Sequence, residues 1–414
     1  MIFAIAVHGT RGDVEPCAAV ALELQRRGHQ VRIAVPPNLT GFVESAGLPP
    51  AGAYGVDSQK QLEADVFRKW WSLRNPATVL REAREYATEG WDEMSAVSAA
   101  LAEDADLLLT GTTYQEVAAN VAEYHRIPMA ALHYFPHRAN RSVVPVPLPS
   151  KLVSTVFAAG EWGHWQVMRK AEDAQRRVLG LARASTPAIR RMIESGTLEI
   201  QAYDKLLFPG LAQEWAGVRP FTGALTLRQE AASDDEVMSW TAAGSPPIYF
   251  GFGSMPVESP ADAVAMITEV CAELGQRALI SSGAWDLTGM SGADHVKVVG
   301  AVNHSVVFPR CRLLVHHGGA GTTAAGMRSG VPTLVLWVGA DQPVFANQVK
   351  RLKVGVKQRF SKTTRESLRV ALRAALAPDI AEQARRLAAE LTPAADSVTA
   401  TADLLEEAAR RGRR

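Results

Sequence analysis

Short apolar runs alternate with amphipathic helical stretches along most of the chain. That alternation fits a parallel sheet covered by helices on both faces, whose strands read as nearly continuous apolar segments. "IFAIAV" (2–7), "HQVRIAVP" (29–36), "DADLLLTG" (104–111) and "MAALHYF" (129–135) all read this way. Between the first two, the residues from Gly12 to about Arg27 predict a helix, with Pro16 near its first turn and Gly28 ending it. A mostly helical span from about 140 to 200 breaks the rhythm. A second series opens at "PPIYFGFGSM" (246–255) and continues through "RALISSG", "VKVVG", "CRLLVHHGG" and "PTLVLWVG".

Two series in 414 residues suit two domains better than one. The expected organisation is α/β. One Rossmann-like domain spans 1–210, a Gly- and Pro-rich linker 211–227, and a second Rossmann-like domain 228–393, with a cleft between the domains. A helical tail, 394–414, is placed to fold back over the first domain. The net charge of +1 supplies no field that favours nucleic acid. Cys17, Cys271 and Cys311 lie far apart without a CxxC, which speaks for a reducing compartment. No apolar run reaches the roughly 18 residues of a membrane span. "MIFAIAV" lacks a basic leader and reads as a first strand. The expected location is cytoplasmic, with any membrane contact peripheral at the inner face.

In open parallel sheets the ligand lies beyond the carboxyl ends of the strands, and the Gly-rich turns sit there. "HGTRGDVEP" follows the first strand, "GFGSMP" opens the second series, and "HHGGAGTT" follows its fourth strand. A helix beginning after "GGAGTT" would aim free N–H groups and its positive dipole end at an anion. Ser254, Thr322 and Thr323 add hydroxyl donors, and a histidine beside the turn adds an imidazole. These features suit a diphosphate cradle; a tight packing turn is the plainer reading. Neither GxGxxG after the first strand nor GxxxxGK[ST] is present. Asp341 and Gln342, before Pro343, suit bonds to sugar hydroxyls, or alternatively a helix cap. His133 and His137 are four apart, but Pro136 between them argues against a helix presenting both to a metal.

The stretch "HHGGAGTTAAGMRSGVPTLVLWVGADQPVFANQVKRLKVG" resembles the nucleotide-sugar signature of family 1 glycosyltransferases of GT-B fold. "HGTRGDVEP" resembles the N-terminal loop of bacterial members that glycosylate antibiotics, sterols and lipids, and "AVNHSVVFPRC" resembles the nucleobase loop. "PPNLTGFVESAGLPP" and "LLLTGTTYQEVAANVAEYHRIPMAALHYFP" look most like mycobacterial glycopeptidolipid glycosyltransferases. The resemblance implies an inverting, metal-independent transfer of a hexose, dTDP-linked (a 6-deoxyhexose) or UDP-linked, to a hydroxyl of an apolar acceptor. No cofactor is implied beyond the nucleoside-diphosphate sugar as co-substrate.

Carried over residue by residue, His316 contacts the diphosphate, with Gly12, Gly319, Ala320, Gly321 and Thr322 on the donor side and Ser254 giving its hydroxyl. Val302 meets the base through its backbone, and Asp341 and Gln342 hold the sugar. Asp13 is the general base, with His8 its rival, since an unperturbed imidazole titrates near 6.5. Plant members carry tryptophan and asparagine where this chain has Gly319 and Ala320. The aromatic segments "FRKWWSLRNP" and "GEWGHW" lie where acceptor loops fall. Trp70, Trp71 and His133 are the acceptor candidates, with core packing as the alternative for the tryptophans. An epimerase on the same scaffold and a non-catalytic nucleotide-sugar-binding protein are the rival readings.

Overall fold

The computed structural model describes residues 1–63, 76–140, 150–227, 234–253, 259–283, 285, 287, 293–339 and 341–412. Among them, two six-stranded parallel sheets form. The first holds β1 (Ile2–Ala6), β2 (Gln30–Val35), β3 (Pro50–Ala53), β4 (Leu107–Thr110), β5 (Met129–His133) and β6 (Leu198–Gln201), in the order β3-β2-β1-β4-β5-β6. The second holds β7 (Ile248–Gly251), β8 (Ala278–Ser281), β9 (Val296–Val299), β10 (Leu313–His316), β11 (Thr333–Trp337) and β12 (Gly355–Arg359), in the order β12-β11-β10-β7-β8-β9. Counted from its own first strand and read from β9, the second order repeats the first. Each sheet therefore has the doubly wound Rossmann arrangement.

The central strands are apolar because helices cover both of their faces. Phe3, Ala4, Ile5 and Ala6 of β1, and Leu107, Leu108 and Leu109 of β4, are completely buried. Leu313, Leu314 and Val315 of β10 are completely buried too. Burying a side chain of this size contributes about 1.5–3 kcal/mol. In the second unit Phe252, just after β7, stacks on Trp285 at 4.8 Å, and Phe360, just after β12, stands edge-on to Phe252 at 5.4 Å.

The chain divides into two compact units, Met1–Leu227 with Ala394–Arg414, and Arg228–Pro393. Residues 211–227 belong to the first unit: Phe221 bridges Gln201 beside β6, and Thr401 of the final helix donates to the Thr222 hydroxyl at 2.9 Å. That helix, Ala394–Gly412, is tied to the end of helix Arg11–Arg26 by Arg27, which pairs with Asp403 at 2.6 Å and Glu406 at 3.1 Å. No helix among the described residues is long and apolar enough to cross a membrane. Between 150 and 200 the structure has helices Ser150–Val178 and Ala188–Glu194 and then β6, a strand that the helical expectation for this span did not contain.

Candidate functional site

Where strand order reverses, the loops leaving two neighbouring strands diverge and leave a crevice. In the first unit that point lies between β1 and β4, which pair from Phe3–Leu107 to Ala6–Thr110. The β1 loop carries His8, Gly9, Thr10 and Asp13. Helix Arg11–Arg26 starts earlier than the sequence suggested, so Pro16 falls in its second turn. Thr10 is its N-cap residue, and Asp13 is the third helical residue. The Asp13 Oδ2 accepts from the Thr10 N–H at 2.8 Å and from the Thr10 hydroxyl at 3.1 Å, the acidic half of a capping box. Gly9 has φ +132°, and a Cβ there would stand 2.3 Å from Oδ2. Only glycine lets the carboxylate lie across the loop.

His8 is 3% exposed. Its Nε2 donates to the Val56 carbonyl at 3.2 Å, which leaves Nδ1 as the accepting nitrogen of a neutral ring. Burial lowers its pKa, and the bond to Val56 opposes that only in part. The Tyr114 ring stands edge-on to His8 at 5.0 Å, and the Thr113 hydroxyl donates to the His8 carbonyl at 2.7 Å, so the β4 loop braces the β1 loop.

The acceptor candidates are placed differently. Trp70 and Trp71 lie outside the described residues. His133 is completely buried, with the Gln115 and Gln201 amide nitrogens 3.0 and 3.3 Å from its ring nitrogens. It presents no surface to an acceptor and belongs to a buried polar network with Arg138 and Glu199, whose side chains pair at 2.5 Å. The neighbouring His137 ring is 5.5 Å away, and burial pushes its pKa down to about 4. Among the described residues no three His, Cys, Asp or Glu side chains are placed to hold a metal ion. The two tryptophans of "GEWGHW" divide: Trp165 is buried and donates to Glu172 at 2.8 Å, whereas Trp162 is 58% exposed. Leu152 and Val156 of the same helix, Ser150–Val178, are exposed as well.

In the second unit the order reverses between β7 and β10, where Gly251 pairs with His316. The β10 turn leads into helix Ala320–Arg328, whose N-cap residue is Gly319 and whose first turn has no side-chain cap. Its leading N–H groups therefore receive no side-chain acceptor from their own N-cap residue. His316 is fully buried; its Nδ1 accepts from the Gly318 N–H at 3.0 Å, so the proton sits on Nε2, which has no hydrogen-bond partner among the described residues. Burial holds its pKa well below the usual histidine value, so this is a neutral donor. Gly318 has φ +96°, which suits the abrupt turn.

Sequence reasoning passed over His317. Its ring fills the space between the two glycine turns: a Cβ on Gly253 would stand 3.0 Å from it, and one on Gly319 2.6 Å. Its Nδ1 is buried without a hydrogen-bond partner among the described residues, and burial lowers its pKa to about 4. Gly321 is exposed and Ala320 and Thr322 are half-buried at the helix start, but the Thr323 hydroxyl is committed to the Gly319 carbonyl at 2.8 Å. In the first unit Gly12 is exposed beside Asp13. Ser254 lies outside the described residues.

Two more loops close on this point. Val302 is buried beside Tyr249 and Phe308, and Asn303 caps the short helix after it by accepting from the Ser305 N–H at 3.0 Å. Asp341 is the N-cap residue of helix Gln342–Arg351, but its carboxylate makes no capping hydrogen bond. Burial raises its pKa. The Gln342 side-chain oxygen accepts from the Val338 N–H at 2.8 Å and the Gly339 N–H at 3.3 Å. That oxygen closes its own loop and is not open to a sugar hydroxyl.

Residues 3–142 match the model of the glycosyltransferase family 28 N-terminal domain, and residues 267–406 that of the erythromycin biosynthesis protein CIII-like C-terminal domain. The chain is 61% identical to a glycosyltransferase of Mycobacterium tuberculosis, over 100% of both chains. It is 30% identical to the vancomycin aglycone glucosyltransferase of Amycolatopsis orientalis, over 98% of this chain and 97% of that one. Among solved structures it resembles the glycosyltransferase VinC in complex with dTDP, with a TM-score of 0.64 and 18% identity over 99% of this chain and 100% of that one.

Proposed function

The chain belongs to the two-domain GT-B glycosyltransferases related to antibiotic glycosyltransferases, and from that premise we propose that it moves a hexose from a dTDP- or UDP-sugar to a hydroxyl of an apolar acceptor with inversion. A 6-deoxyhexose on dTDP is the favoured donor; the dTDP bound by VinC supports the base. The observation that carries the donor half is the buried Nε2–H of His316, without a hydrogen-bond partner among the described residues, beside a helix start whose N-cap residue, Gly319, supplies no side-chain cap. A diphosphate satisfies both.

The reaction is a single displacement. The acceptor oxygen bonds to the anomeric carbon as the bond from that carbon to the diphosphate oxygen breaks, and the electron pair leaves with the diphosphate. Asp13 takes the acceptor proton. Charge grows on the leaving phosphate, where fixed donors are worth most, so the helix N-terminus and His316 do the stabilising without a metal. Trp162, Leu152 and Val156, exposed on one helix, favour an apolar acceptor and a peripheral encounter with a membrane surface.

A thermal-shift series with dTDP, UDP and GDP tests the donor half. A nucleotide at 100 times its Kd should add about 2.7 kcal/mol of stability, and dTDP should give the largest shift. No shift with any of the three at millimolar concentration would end this reading. Release of free dTDP from dTDP-glucose that rises when an acceptor is added separates transfer from mere binding. Within the same site, Asp341→Ala should leave dTDP affinity and Tm unchanged, because its desolvated carboxyl caps nothing, and should lower kcat with dTDP-glucose. An equal loss of dTDP affinity would move Asp341 from the sugar to the diphosphate.

A further inference from the structure

β5 leads directly into Tyr134, and its phenol reaches beneath the β1 loop. The hydroxyl donates to the main-chain carbonyl of Asp13 at 2.7 Å, and the Cys17 Sγ lies 3.5 Å from the Tyr134 hydroxyl oxygen. Tyr134 is 6% exposed. The path is narrow: at Gly111, just after β4, a Cβ would stand 3.2 Å from the phenol oxygen and 3.2 Å from Val7 Cγ2. The anchored turn also lacks a rung of its own. Pro16 has no N–H to give the Gly12 carbonyl, one residue before Asp13. Burial raises the phenol's ionisation well above its ordinary range, so the hydroxyl remains a donor at working pH.

We propose that Tyr134 is a positioning residue for glycosyl transfer: by holding the Asp13 carbonyl it fixes the weakened first turn that aims the Asp13 carboxylate. The proposal rests on the reading of Asp13 as the base. Tyr134 acts through Asp13 and touches neither substrate. Thr10 orients the carboxylate from one side, through its N–H and hydroxyl, and Tyr134 fixes the backbone that carries it from the other.

Tyr134→Phe keeps the ring and removes this one bond. With dTDP-glucose as donor, dTDP release is followed with 4-methylumbelliferone as acceptor and, separately, with water as the only acceptor. The expected result is a fall in kcat on the order of 10- to 100-fold, the scale of a misplaced reacting group. KM for dTDP-glucose, Kd for dTDP and Tm should stay near those of the parent protein. Adding Tyr134→Phe to Asp13→Asn should cost nothing more. The deficits of both single variants should shrink at pH values where the 4-methylumbelliferone phenol is already ionised, because no proton is left to remove. An unchanged kcat in Tyr134→Phe, or the same loss in both backgrounds, overturns the positioning role while leaving Asp13 in place. An unimpaired Asp13→Asn overturns the base reading itself, and the proposal with it.

Discussion

Replacing Asp13 with Asn should lower kcat by a factor on the order of 10²–10⁴, with dTDP affinity and Tm close to those of the parent protein. The amide oxygen can still accept from the Thr10 N–H, so the capping bond at 2.8 Å survives and helix Arg11–Arg26 keeps its start. What disappears is the ability to take a proton. The acceptor hydroxyl becomes acidic only as its bond to the anomeric carbon forms, so a carboxylate serves at that moment. His8 supplies the control. Its Nε2 is held by Val56 and burial keeps it neutral, so Nδ1 is a competent acceptor as well. Near-normal kcat in Asp13→Asn together with an inactive His8→Ala would transfer the role to the imidazole.

His316→Ala should weaken dTDP binding and turnover together by about 1.5–3 kcal/mol, the range for a hydrogen bond to a charged group, or roughly 10- to 150-fold. Part of any loss of Tm belongs to the Gly318 N–H, which loses its acceptor at 3.0 Å. His316→Gln separates the effects, because its amide restores a donor and so returns part of the affinity. The measurement is dTDP affinity by calorimetry. Parent-like affinity in His316→Ala would place the diphosphate elsewhere, and His317, wedged between Gly253 and Gly319, would be the next residue to replace.

The central strands were legible because burial on both faces leaves only apolar residues in them: "IFAIA", "LLLT", "ALIS" and "TLVLW" are strands as read. The strands that escaped, β3 "PAGA", β6 "LEIQ" and β12 "GVKQR", are all sheet edges, where one side lacks a neighbour and the apolar signal thins. The candidate site shows a similar division. Glycine and histidine spacing marked the β10 turn, and Asp13 marked the β1 loop. His317 and Tyr134 gave no signal, since each matters through a contact made only after folding: the one with Gly253, 64 residues back in the chain, the other with the Asp13 carbonyl. His133 misled for the opposite reason. A histidine at a strand end resembles a site residue until Gln115 and Gln201 close over it.

Those same thin edges decide how the protein behaves when crowded. An unpaired strand is a template on which another chain can add its own strand and begin a fibril. Here β3 opens with a proline that donates nothing, and the β2–β3 register shifts between Ile33 and Ala34. β6 carries the buried charge of Glu199, and Phe221 bridges its last residue. β9 carries Lys297, and β12 carries Lys357 and Arg359. Each edge is short and bears a proline, a charge or a cover, features that disfavour growth by strand addition, and concentrated protein should resist ordered aggregation for as long as the two sheets stay folded.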